Sequence, residues 1–121
     1  MGPEYKGKGE IFLPPGTSTR ARLHEIAHRE LGHEPGRYSA RELVGDELDA
    51  EIWAWERIDK ELTPRVGIPA MGAILEYFPK SSNGEVLDIV TDGLRKRGIK
   101  VTKAGEGDLE HFLENFNLII D

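Results

Sequence analysis

The apolar positions of this chain recur at helical spacing over five stretches and in short extended runs over two. Glu10 to Leu13 reads as a short strand, stopped by Pro14-Pro15-Gly16, whose fixed backbone angles and missing donors force a turn. Thr17-Ser18-Thr19 then supplies capping oxygens for a helix from about Arg20 to Leu31, closed at Gly32. Ser39 and Glu42 have capping-box spacing and open a second helix, with an irregularity expected at Gly45, that runs to about Leu62 before Thr63-Pro64. Leu43, Glu47, Ala50, Ala54 and Ile58 share one side of it. Ala70 to Phe78 is a third helix, ended by Pro79, and the turn Ser81 to Gly84 leads into a fourth that ends at Gly98. Ile99 to Thr102 alternates as a strand, Lys103 to Gly107 turns, and Asp108 to Phe116 is a last amphipathic helix.

Composition narrows the class. The chain has 121 residues, enough for one core, so a single domain is expected over residues 10–121 behind a flexible segment 1–9. Twenty-two acidic against 16 basic residues give a net charge of -6, which disfavours nucleic acid as a partner. Cysteine is absent, so thiolate catalysis, disulfides and Cys-type zinc sites are excluded, and any metal must be held by histidine and carboxylate. The N-terminus lacks the apolar segment of a signal peptide and no run reaches transmembrane length, so a cytoplasmic chain without membrane attachment is the expectation.

Only four histidines are present, and two fall in His24-Glu25-Ile26-Ala27-His28, an H-E-x-x-H pattern inside the first helix. Residues four apart on a helix share a face, so both imidazoles can converge on one ion. The chemistry suits this spacing: neutral imidazoles hold Zn2+, the ion acidifies water, and Glu25 lies beside it as general base. A third ligand is sought on the second helix, where Glu47, Asp49 and Glu51 follow once the His33 to Arg37 connector turns the chain back. Glu47 and Glu51 share a face. Glu47 can then ligate while Glu51 holds the outward nitrogen of a ligand histidine.

These two segments resemble the gluzincin metallopeptidases, and more narrowly the small ImmA/IrrE-type group and related antirestriction proteins of mobile elements. Their H-E-x-x-H is followed by a helix of the form E-x-E-A-x-x-F-A or E-L-x-A-E. Here the match runs from Glu47 through Asp49-Ala50 and Glu51 to Trp53-Ala54, with Asp49 in place of the second Glu. The resemblance implies Glu47 as third ligand, with Asp49 as the alternative, and Glu51 as the support of a ligand histidine. It also implies that the strand Glu10 to Leu13 pairs with an extended peptide. It covers roughly residues 10 to 60.

The expected architecture is therefore α+β: a minimal zincin-like core over 10–62, with an active-site helix, a ligand-bearing helix and a short edge sheet, and a helical and strand extension over 63–121. The expected activity is zinc-dependent endopeptidase cleavage of a protein or peptide substrate. Tyr38 and His33 are the candidate donors to a developing oxyanion. The alternatives are a zinc-stabilised protein-binding module, favoured if a side chain such as His33 fills a fourth ligand position, and a nucleic-acid accessory role through Arg95-Lys96-Arg97. Trp53 is expected near the metal helix and Trp55 toward the C-terminal helices.

Overall fold

The computed structural model describes residues 3–36, 39–58 and 60–120. Among these, the chain is mixed α/β and mostly helical, with five α-helices and one two-stranded sheet. Strand β1 (Glu4–Gly7) pairs antiparallel with β2 (Glu10–Phe12), followed by α1 (Thr19–Glu30), α2 (Ala40–Ile58), a 3-10 turn (Pro64–Gly67), α3 (Ile68–Tyr77), α4 (Asn83–Lys96) and α5 (Lys103–Ile120).

The helix starts follow local chemistry. Ser18 Oγ accepts from the Ala21 N–H at the head of α1, Ser39 Oγ from Glu42 at α2, and Ser82 Oγ from Glu85 at α4, each satisfying a donor that the helix itself leaves free. The end of α1 is a Schellman turn. Gly32, at φ +74°, lets the Gly32 N–H reach the Arg29 carbonyl at 3.2 Å and the His33 N–H reach that of His28 at 2.8 Å. That turn fixes His33 beside His28.

Three elements differ from the sequence expectation. Residues 4–7 form a strand, where no element was expected before Glu10. The hairpin is closed by Gly7, Lys8 and Gly9, all at positive φ, and held by Glu34, whose carboxylate accepts from the Tyr5 hydroxyl at 3.0 Å and the Lys8 N–H at 3.1 Å. Gly7 permits this approach, since a Cβ there would lie 2.7 Å from Glu34 Oε2. Ile99 to Thr102 is an irregular segment rather than a strand, having no strand to pair with among the described residues. Lys103 to Gly107 is the first turn of α5 rather than a loop: Thr102 Oγ1 accepts from the Gly105 N–H at 3.1 Å, and Gly105 leaves room for Pro64, 2.7 Å from where a Cβ would sit.

Helix α2 is the centre of the packing and touches α1, α3 and α4. Its Val44 and Leu48 enter a core with Met71, Ile74, Val90, Leu94, Leu109 and Leu113. It runs unbroken through Gly45, whose carbonyl accepts from Arg97 Nη2 at 3.2 Å. It stops at Ile58, short of the expected Leu62. The opposite face of α2 meets α1, and that junction brings the polar residues together. No helix among the described residues is long and apolar enough to cross a membrane.

Candidate metal centre

His24 and His28 are buried on α1, one helical turn apart, and Glu47 and Glu51 face them from α2. The His24 Nε2 lies 2.8 Å from Glu47 Oε2, the His28 Nε2 lies 3.3 Å from Glu47 Oε1, and the two Nε2 atoms are 3.1 Å apart. On the far side of its ring, His24 Nδ1 lies 2.7 Å from Glu51 Oε2. The carboxylate only accepts, so Nδ1 carries the proton. A neutral His24 would then direct a lone pair from Nε2 at a carboxylate. An arrangement of this kind requires a cation at the meeting point, either a proton or a metal ion.

The donor set fits a metal. A tetrahedral ion such as zinc, with bonds of about 2.0–2.1 Å, sets its donors about 3.3 Å apart. The separations of 2.8, 3.1 and 3.3 Å among the His24, His28 and Glu47 donors lie close to that spacing. Glu25 belongs to the same cluster, with ligand atoms of His24, Glu25 and His28 all within 4.8 Å of one another, but the Glu47 carboxylate is nearer to both imidazoles. The Tyr5 backbone on β1 lies against Glu25 and favours its charged form.

Electrostatics follow from burial and partners. Burial opposes charge on His24, yet hydrogen bonds and charges from Glu47 and Glu51 outweigh it and hold the ring up at about 10. Burial likewise pushes the Glu47 carboxyl up, and the hydrogen bonds and charges of both histidines overcome it, bringing it down to about 2. Glu51 is lowered against its own burial by His24, Arg20 and Trp55. Arg20 Nη1 donates to Glu51 Oε1, and Trp55 Nε1 donates to the same atom at 2.8 Å. Burial raises the Glu25 carboxyl above its ordinary value, against the attraction of His24 and His28.

These shifts set a pH dependence for the protein stripped of metal by a chelator. A raised pKa contributes stability that is full below the ordinary value of 6.5 and is lost as pH climbs through about 10, which is the His24 case. A depressed pKa contributes stability present above the ordinary 4.5 and lost as pH falls through about 2, which is the Glu47 case. The contribution of this pair is therefore full only between about pH 4.5 and 6.5. Urea midpoints in chelator are expected to decline from pH 6.5 to 9, and the slope should shrink in His24→Gln. An unchanged slope in that variant would contradict the His24 assignment.

Of the other sequence candidates, one is placed elsewhere and one is not described. Asp49 does not join the cluster; it receives Arg97 Nε at 2.6 Å and Arg97 Nη2 at 3.3 Å, tying α2 to α4. Tyr38 lies outside the described residues. The basic run is engaged in ion pairs, Arg95 with Glu106, Lys96 with Asp92 and Arg97 with Asp49. Trp55 packs against the core that includes Leu109 and Leu113 of α5, as expected, and also donates to Glu51 on its own helix, while Trp53 is half-buried with the Arg57 guanidinium 3.3 Å over its ring.

The cluster opens into a cleft of about 840 Å³. One wall is Pro3, Glu4 and Tyr5, and the other is α3, through Pro69, Gly72, Ala73, Glu76 and Tyr77. Tyr5 stacks toward His28, ring centres 6.4 Å apart and planes within 11°. The strand that lines the cleft is thus β1; of the segment Glu10 to Leu13, residues 10–12 pair with β1, and none lines the cleft. Tyr5, Glu34, Arg20 and Trp55 were not among the sequence candidates; of these only Trp55, four residues past Glu51 on the same helix face, had a spacing that pointed to its partner. No protein-family profile, curated protein or solved structure matches this chain.

Proposed function

We propose that this chain is a zinc-dependent endopeptidase with a minimal zincin-like core. The observation that carries the reading is the convergence of His24 Nε2, His28 Nε2 and the Glu47 carboxylate within 3.3 Å, with the Glu25 carboxylate in the same cluster. His24, His28 and Glu47 would hold the ion. Zinc bound there supplies a Lewis acid that polarises a carbonyl and lowers the pKa of water.

The remaining steps belong to the chain's own side chains. Glu25 takes a proton from the attacking water and gives it to the leaving amine nitrogen, and burial, by raising its pKa, suits it to both exchanges. Glu51 keeps the His24 proton on Nδ1, so Nε2 remains the ligating nitrogen. An extended substrate segment lies in the cleft between β1 and α3. Among the described residues, six carboxylates line that cleft against one arginine, Arg20, which is already paired with Glu51, so segments rich in Lys or Arg are favoured.

Cleavage of a fluorescently labelled unfolded protein is expected to stop when a chelator removes the metal and to return on adding stoichiometric zinc. Undiminished cleavage by fully stripped protein would refute the reading.

A further inference from the structure

We propose that Asp46 and His33 form a second orienting arm of the metal centre, which fixes the tautomer of His28 and so its ability to ligate. The proposal rests on the metal reading above and names residues that act through a ligand rather than on substrate.

His28 turns Nε2 toward His24 and Glu47 and Nδ1 toward His33. A metal bond through Nε2 requires the ring proton on Nδ1. That nitrogen lies 3.0 Å from His33 Nδ1, and two ring nitrogens at this distance must be one donor and one acceptor. His28 Nδ1–H therefore donates and His33 Nδ1 accepts, which leaves the His33 proton on Nε2. His33 Nε2 faces Asp46 Oδ1 at 3.6 Å, an ion-pair distance, and the negative charge there favours the proton on that side.

The two ligand histidines are thus supported in parallel ways from α2. Glu51 contacts His24 directly, whereas Asp46 reaches His28 through an intervening imidazole. The backbone prepares the second route. The Schellman bond from the His33 N–H to the His28 carbonyl at 2.8 Å holds the two residues together. His33 meets the nitrogen of His28 that points away from Glu47, so this geometry makes it a support and not a fourth ligand.

The test is zinc affinity by competition with a chromogenic chelator, with helix content and metal-free urea midpoints showing that each variant folds. His33→Leu removes the acceptor and is expected to weaken zinc binding about 10- to 100-fold, the usual cost of losing such a partner. His33→Asn, which places an amide oxygen near the Nδ1 position, is expected to recover most of that loss. Asp46→Asn should weaken binding less than His33→Leu, and the double variant His33→Leu/Asp46→Asn should be no weaker than His33→Leu alone, because the two act in series. In zinc-loaded wild type, ring nitrogen-15 spectra should show His28 protonated at Nδ1 and His33 at Nε2. Wild-type affinity in His33→Leu, additive losses in the double variant, or His33 protonated at Nδ1 would each overturn the arm while leaving the metal reading intact. A wild-type chain that takes up no zinc would instead overturn the metal reading, and the arm with it.

Discussion

Glu47→Ala is expected to lower zinc affinity by roughly 10²- to 10⁴-fold. Zinc sites bind with about 10–16 kcal/mol, and a third of that, about 3–5 kcal/mol, is the share of one ligand among three. The carboxylate is the only group from α2 that reaches both ligand nitrogens, at 2.8 Å from His24 Nε2 and 3.3 Å from that of His28. Without it, the two imidazoles are left with the Glu25 carboxylate, which shares their cluster but makes no close contact with either ring. Asp49→Ala provides the contrast. Its carboxylate is engaged by Arg97, so its loss should lower the urea midpoint by loosening α2 from α4 while zinc affinity stays at the wild-type level. Competition titrations on the two variants check this directly, and a zinc loss confined to Asp49→Ala would move the third ligand there.

Glu25→Gln is expected to lower cleavage by about 10²- to 10⁴-fold while keeping the metal. General-base catalysis contributes about 10²- to 10⁴-fold, and glutamine preserves the shape of the side chain while removing its proton affinity. Zinc content should remain at the wild-type level because the Glu47 carboxylate, not that of Glu25, lies nearest the two imidazoles. The pH profile adds a second readout. The Glu25 carboxyl sets the acid limb of kcat/KM in wild type, and the residual activity of the variant should lack that limb. Loss of zinc from Glu25→Gln would make Glu25 a ligand and end its assignment as base.

Much of this centre was readable from spacing because its contacts lie within helical turns. His24 with His28, and Glu47 with Glu51, are pairs four apart, and one reversal of the chain between the two helices is enough to bring them face to face. The caps at Ser18 and Ser39 were similarly legible, since a hydroxyl and the helix it starts are adjacent in sequence. What escaped depends on pairings with no local signature. The Glu4–Gly7 strand is short and Gly-rich, and its position is set by Glu34, 29 residues from Tyr5. Asp49 looked like a possible ligand until Arg97, 48 residues away, supplied a partner. The glycines at 105 and 107 suggested a turn, but Gly105 lies inside α5, where the absence of a Cβ accommodates Pro64. His33 was visible as a histidine near the centre, and only the side-chain distances distinguish an oxyanion donor from a support of His28.

The central claim is that His24, His28 and Glu47 hold one zinc ion and leave its remaining position to water or substrate. Anomalous diffraction at the zinc edge, on crystals of protein purified with its metal, reads both the stoichiometry and the atoms around the ion. The account predicts one zinc per chain bound by the two Nε2 atoms and the Glu47 carboxylate, with no fourth side chain. A site closed by four protein ligands, a ligand set built on Asp49 or Glu51, or crystals that take up no zinc would contradict it.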